Sequence, residues 1–344
     1  MEKINYLAFA IPAFFLFVYL EYMLAVRKNK AHFFKYESSV ANISIGIAER
    51  LLNLFIAASF YELFSYVYQN YALFNIPNTW WVWVLLILAT DFVWYWYHRL
   101  GHEVNFLWAA HIVHHQSEEF NLTVSARITT LQALIRGVFW CALPLLGFHP
   151  LMVVVILTIH GAYSFFTHTQ LIGKLGWLEN VLVTPSLHGV HHASDDKYLD
   201  KNYGDVFVFW DKMFGTFQKE EEPPTYGLTH PIKSNSFLWQ HFHFIMEIFV
   251  SFKRATTIKG KWKSIFGKPD DIDPRIRSGL ERKFSRKEYD LTQSNTLRNY
   301  IKLQTVVSLL LLFLVILFEH YLNTAQLITS ALFIILFATQ PFYL

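Results

Sequence analysis

Eight histidines fall into three groups in this 344-residue chain. His98 and His102 stand four apart, His111, His114 and His115 follow as HxxHH, and His188, His191 and His192 repeat that pattern. On a helix, residues three and four apart share a face. Each group is therefore expected to aim its imidazoles one way. Neutral imidazole suits iron, copper, zinc and nickel. A closed structural zinc site takes four ligands, often including cysteine. Cys141 is the single cysteine, and there are too many grouped histidines for one tetrahedral ion. Two metal ions sharing the eight fit better. An isolated histidine is usually a core or surface residue, and it is the spacing that lifts these three groups above that reading.

The elements that must carry these groups are membrane helices. The chain is 53% hydrophobic and only 16% charged, where soluble domains are about a quarter charged. The expected fold is all-α: a polytopic membrane helical bundle of about seven membrane segments, with a helical cytoplasmic cap carrying the histidine-rich di-metal site. The first apolar run, 4–26, has no small-residue cleavage site after it and reads as a retained helix. Arg27, Lys28, Lys30 and Lys35 follow it, so that loop is expected on the cytoplasmic side. Residues 40–68 form a second span, with Glu49 and Arg50 near the interface or facing the protein interior. The third, 80–97, opens on Trp80, Trp81 and Trp83 at the membrane boundary and delivers His98 and His102 to the cytoplasmic end.

Runs 131–148 and 151–168 read as a hairpin turning at Gly147-Phe148-His149-Pro150. His149 then lies far from the grouped histidines and is excluded as a ligand, while His168 returns to their level. Runs 306–318 and 325–338 form a final pair. Four regions follow: N-terminal transmembrane helices (1–78), a catalytic domain (79–217), a basic cytoplasmic segment (218–302) and the C-terminal helix pair (303–344). The basic residues from Lys253 to Arg286 and Lys287 read as a solvated face or a contact with anionic lipid heads. No nucleic-acid motif appears, and no nucleic-acid partner is expected. One cysteine excludes an intramolecular disulfide.

HRLGH at 98–102, HIVHH at 111–115 and HGVHH at 188–192, in that order, resemble the fatty acid hydroxylase and sterol desaturase superfamily of membrane di-iron enzymes. EEFNLTVSAR (118–127), TPSLHGVHH (184–192), DKNYGDVFVFWDKMFGTF (200–217) and YGLTHPI (226–232) are similar to an ether-lipid-cleaving group within it. The resemblance covers roughly residues 80–250. It implies that His98, His102, His111, His114, His115, His188, His191 and His192 ligate two iron ions. It also implies that His168, in THTQL, joins them, and that Glu103, directly after the first box, acts at the site. The activity implied is O2-dependent monooxygenation of a membrane lipid. For the narrower group this means tetrahydrobiopterin-dependent hydroxylation of the carbon next to the ether bond of an alkylglycerol, followed by collapse to an aldehyde and a glycerol. The broader resemblance implies an alternative, a sterol or fatty-acyl hydroxylase or desaturase with the same irons and another electron donor. An inactive scaffold on the same fold would have lost box members, and all eight are present. His160, Leu187 and Gly189 depart from the group's pattern, which bears on the substrate more than on the metals.

Two ferrous ions bring positive charge and eight neutral imidazoles bring none. Glu103, and less readily Glu118, Glu119, Asp195 and Asp196, are candidates to bond the far ring nitrogens. The alternative for each is a solvated acid. Trp94, Tyr95, Trp96 and Tyr97 read as interfacial or core aromatics, or as the entrance for a lipid tail. Trp210, Asp211 and Phe214 are expected to pack the cap onto the membrane helices. Asn121 and Arg127 read as a structural bond or a lipid-head contact, and His230 as part of a turn before Pro231. His241 and His243 are as readily surface residues as functional ones. The expected location is a bacterial inner membrane or the endoplasmic reticulum, with the site on the cytoplasmic side. The electron donor and oligomeric state stay open.

Overall fold

A computed structural model describes residues 4–232, 234, 236–284 and 294–340. Arg286 and Lys287 of the basic segment lie outside the described residues. Among those described, the chain is helical, and only isolated β-bridges pair extended backbone. Five segments are long and apolar enough to cross a membrane: Tyr6–Arg27, Tyr36–Tyr71, Trp80–Glu103, Pro150–Thr167 and Asn295–Leu317. Thr130–Leu146 and Thr324–Thr339 are shorter apolar stretches. The helices are α1 (Ala10–Arg27), α2 (Tyr36–Tyr71), α3 (Trp80–Glu103), α4 (Asn105–His111), α5 (Thr130–Trp140), α6 (Ala142–Leu146) and α7 (Pro150–Thr167). Then come α8 (Pro185–His191), α9 (Phe209–Phe214), α10 (Phe237–Arg254), α11 (Ile258–Phe266), α12 (Arg275–Phe284), α13 (Asn295–Leu317) and α14 (Thr324–Thr339).

The hairpin expected from 131–168 is present. Gly147 takes φ +111° at the turn, where an added Cβ would meet the Phe74 carbonyl, so only glycine fits without strain. His149 caps α7, its Nδ1 accepting from the Leu151 amide at 3.3 Å, and Pro150 follows at the first helical position, where its missing N–H costs nothing. Phe64, Leu86, Trp140, Leu143, Met152 and Ile156 form one core where α2, α3, α5, α6 and α7 meet. Ile47, Leu51, Leu312, Ile316 and Ile334 form a second, joining α13 and α14 to α2. Glu49 is buried and paired with Arg50 at 3.0 Å, which places it in the protein interior.

The helices read as a cap, α8 to α12, pack on α3, α4, α7 and one another. Ile112, Val113, Phe244, Ile276 and Leu280 pack α4, α10 and α12 together. Asn105, at the start of α4, donates to the carbonyls of Lys263 and Ser264, while its amide reaches Gly267. It thereby partners the Ser264 carbonyl in the last turn of α11 and adds to the Gly267 amide that already caps Lys263 at 2.8 Å. On the other side, Trp210 Nε1 bonds Asp91 at 3.0 Å, and Phe214 stacks on Tyr95 at 5.1 Å. These contacts anchor the cap to α3, as Trp210 and Phe214 were expected to do.

Gly46 of α2 lies against backbone of the short turn at 122–126, and a Cβ there would come within 3.0 Å of the Ala126 carbonyl. Backbone gives little, so Gly46→Val is expected to cost about 1–3 kcal/mol by overpacking. Thermal unfolding in detergent should show a lower midpoint, and an unchanged midpoint would contradict so close an approach.

Candidate metal centre

The three histidine boxes reach one place by different local routes. The first lies wholly within α3, so His98 and His102 share a face. The third is α8, whose start is set by Thr184 accepting from the Leu187 amide and by Pro185 at the first helical position. His192 follows as its last cap residue. The second box departs from the continuous helix that its spacing predicts. The α4 helix ends at His111, and His114 and His115 lie on a separate turn of 3-10 helix. Two side chains hold the break open. Arg127 Nε donates to the Val113 carbonyl at 2.6 Å, and Thr129 Oγ1 to the Ala110 carbonyl at 2.8 Å. Both carbonyls would otherwise need partners in a continuing helix.

The break divides the box between two sets. His98, His102, His111, His115 and His191 offer ring nitrogens within 4.8 Å of one another, and His114, His168, His188 and His192 do the same. All eight box histidines are therefore brought together, and His168, at the end of α7, completes the second set. Except for half-buried His102, all nine are buried.

The outward ring nitrogens are held by main-chain carbonyls. Nδ1 of His98 lies 2.8 Å from the Tyr203 carbonyl, that of His191 2.9 Å from Lys201, that of His168 2.7 Å from Ser164, and that of His114 3.2 Å from Arg127. A carbonyl only accepts, so these Nδ1 atoms carry hydrogen, and in a neutral ring Nε2 is then a bare lone pair. Burial disfavours the charged ring: it holds His168 and His191 down to about 4, and pushes His111, His114, His115, His188 and His192 well below the usual histidine range. Nε2 of His102, His191 and His192 are buried with no hydrogen-bond partner. Nε2 of His114 and His168 face each other at 3.2 Å, and neither has a proton to share. Buried, unpartnered and converging lone pairs are what a cation would satisfy. The all-imidazole donor set suits a first-row transition metal.

Aromatic rings close the centre. Trp108 packs on His102 at 4.8 Å and on His115 at 5.6 Å. Phe120 covers His168 and His192, and Tyr226, from YGLTHPI, stacks on Phe120 at 4.9 Å. Gly189 leaves room for the Tyr226 hydroxyl, which a Cβ would meet at 3.0 Å. Leu187 is buried beside Val183 and Val208. Tyr95 and Tyr97 are buried, and Tyr95 bonds Thr216 at 3.0 Å, so these two aromatics are core.

The acids proposed for the far ring nitrogens lie elsewhere. Glu103 is engaged by Arg99 at 3.0 Å, one helical turn away. Lys35 holds Glu119 at 2.8 Å and Glu118 at 3.5 Å, Asp195 accepts the Thr225 amide at 2.7 Å, and Asp196 is exposed. Loop carbonyls are already in reach of the helix-end histidines, and a neutral carbonyl holds the Nδ1 hydrogen without bringing a second charge to bury. Arg127 proves structural: its buried guanidinium also reaches Asn42 at 3.0 Å, Gln116 at 2.5 Å and Gln240 at 3.0 Å. Asn121 likewise bonds the Phe33 carbonyl at 2.8 Å. The His230 carbonyl accepts from Arg277. His243 is fully buried on α10, its Nδ1 on the Trp239 carbonyl at 3.2 Å, and His160 pairs with Asp205; neither belongs to the two sets. Asp91, Tyr203 and Asp205 are not singled out by the sequence, because their partners are distant backbone groups or, for Asp205, the distant His160 ring, which no spacing rule encodes.

The fatty acid hydroxylase family model matches residues 83–216. Alkylglycerol monooxygenase of Homo sapiens is 35% identical over 331 residues, which is 95% of this chain and 73% of that protein. The Danio rerio protein of the same name is 35% identical over 70% of this chain and 56% of its own length, and that of Xenopus tropicalis 34% over 80% and 62%. The chain thus spans less than two thirds of the length of the latter two. No solved structure matches it.

Arg127 joins four acceptors around the second box, and hydrogen bonds to a charged group contribute about 1.5–3 kcal/mol each. Arg127→Leu, which removes all four of these bonds, is expected to destabilise by about 3–5 kcal/mol. Arg127→Lys, without the planar fork, should fall between it and wild type. A thermal melt in detergent measures both, and equal midpoints for all three proteins would contradict the role given to this guanidinium.

Proposed function

This chain belongs to the fatty acid hydroxylase family, and from that membership we propose that it is a di-iron, O2-dependent monooxygenase acting on alkylglycerols. It is an integral membrane protein and a lipid hydroxylase. The ether-lipid substrate, the two irons and a tetrahydrobiopterin donor are the reading that its relatives and its site favour together. The observation that carries it is the pair of converging imidazole sets at the ends of α3, α4, α7 and α8. Each set would hold one iron, the first through His98, His102, His111, His115 and His191, the second through His114, His168, His188 and His192. Bound iron would supply the O2-derived oxidant that an unactivated C–H bond requires.

The residues of the chain perform the rest. The carbonyls of Tyr203, Lys201, Arg127 and Ser164 fix the ring tautomers, so four Nε2 lone pairs point inward before any ion arrives. Trp108 and Phe120 keep bulk water off the two sets. The site lies where membrane helices end, so a lipid could present the carbon beside its head group while its tail stays in hydrocarbon. Lys28 bonds the Leu171 carbonyl and Lys35 pairs with Glu119, which puts the basic loop after α1 at this same end. Positive charge there favours the cytoplasmic side. Glu103, on the rim with Arg99, is the acid we place nearest an incoming head group or pterin. In the overall reaction one oxygen atom enters the C–H bond next to the ether oxygen and the other leaves as water, with two electrons and two protons from the reduced pterin. The resulting hemiacetal then breaks its C–O bond to give an aldehyde and a glycerol.

Purified iron-loaded protein given O2, reduced tetrahydrobiopterin and a 1-O-alkylglycerol should form fatty aldehyde. His168→Ala and His191→Ala should each lower the rate at least about 100-fold, since each loses a ligand. Iron-loaded protein that spares alkylglycerol with every reduced pterin, but adds one oxygen to a sterol or acyl chain, would transfer the assignment to that substrate class.

A further inference from the structure

A third buried cluster lies outside both histidine sets. Asp91, His160 and Asp205 offer ligand-type atoms within 4.8 Å of one another, and all three are buried. His160 Nδ1 lies 2.8 Å from Asp205 Oδ2. Asp91 stands within α3, a candidate membrane span, where a carboxylate is costly unless partnered. It accepts hydrogen bonds from the amides of Val206 (2.8 Å) and Phe207 (3.2 Å) and from the Trp210 indole (3.0 Å). A carboxylate from α3 and an imidazole from α7 thus grip one short stretch of the cap, residues 205–210. The proposed reaction uses neither.

That stretch continues directly into the backbone that orients the metal centre. Two residues before Asp205, the Tyr203 carbonyl accepts from His98, and two residues earlier still, the Lys201 carbonyl accepts from His191. Asp211 closes the segment from its other end, accepting from the amides of Tyr203 (2.7 Å) and Gly204 (2.9 Å). His98 and His191 both belong to the five-histidine set. The four-histidine set takes its carbonyls from Arg127 and Ser164, which are not on this stretch.

We propose that Asp91, His160 and Asp205 are positioning residues: a polar clamp that fixes residues 201–207 and thereby the ring orientation of one metal set and not the other. The inference rests on the reading that each set holds a metal. If the clamp opens, the carbonyls facing His98 and His191 shift, and those rings lose the contact that fixes tautomer and direction. Losing such outer contacts typically lowers metal affinity about 10–100-fold.

The test is iron content and Mössbauer signature of the full chain in detergent, with iron held near the wild-type saturation point. Wild type should carry about two ions per chain, and His160→Leu and Asp205→Leu about one, given that loss of affinity. His160→Gln keeps an N–H for Asp205 and should retain both ions. Adding His188→Ala to His160→Leu should remove the remaining iron, while adding His102→Ala should change nothing further. Two ions and a wild-type signature in both His160→Leu and Asp205→Leu would overturn the clamp. So would equal loss from the two sets, or failure of His160→Gln to recover, since either marks a merely general contribution to folding. A wild-type chain that binds no iron would instead remove the metal reading on which the clamp depends.

Discussion

Two bare imidazole nitrogens, Nε2 of His114 and Nε2 of His168, face each other at 3.2 Å. Each ring has spent its hydrogen on a main-chain carbonyl, and burial opposes taking up a second proton. Facing lone pairs repel, and for His168 only Nε2 of His188, at 3.1 Å, is placed to donate to it. The arrangement is costly as bare protein and favourable around a positive ion. The same condition recurs across the neighbouring set, where buried Nε2 atoms of His102 and His191 lack partners. Ligand binding to such a site is folding free energy as much as it is affinity.

The rest of the molecule can be understood as the means of sustaining that condition. Membrane helices α3 and α7 bring His98, His102 and His168 to one level, and the cap supplies α8 from the other side. Broken secondary structure is as necessary as the helices. The interruption after His111 turns His114 toward the second set, and the non-helical stretch 201–207 provides the carbonyls that a helix would have consumed internally. Charge is kept away from the rings' outer edges. Glu103, Glu118 and Glu119 are drawn to Arg99 and Lys35 instead. The nine imidazoles would therefore leave the charge of a bound metal largely uncompensated by nearby acids.

The legible parts were those where chemistry dictates residue type. Only certain side chains bind a transition metal, so the boxes declared themselves, and apolar runs revealed the helices that carry them. His168 was placed by its position at the end of the hairpin and by resemblance, since a lone histidine has no spacing to mark it. The break in the second box was hidden because AAHIVHHQ contains no glycine or proline, and it is held by Arg127 and Thr129, side chains beyond the next turn. The carbonyl partners were hidden for a more general reason: every residue has a carbonyl, so nothing in Tyr203 or Lys201 distinguishes them. Asp91 opens the histidine-rich stretch, yet its partners lie more than a hundred residues away. Long-range backbone contacts of this kind appear only once the fold is known.

The central claim, that imidazole nitrogens surround a pair of metal ions, is tested most directly by X-ray absorption at the iron edge of the purified, iron-loaded chain. A nitrogen-dominated first shell, with the outer-shell scattering of imidazole rings and no sulfur, is the predicted result. A shell of carboxylate or water oxygens without ring scattering would contradict the account.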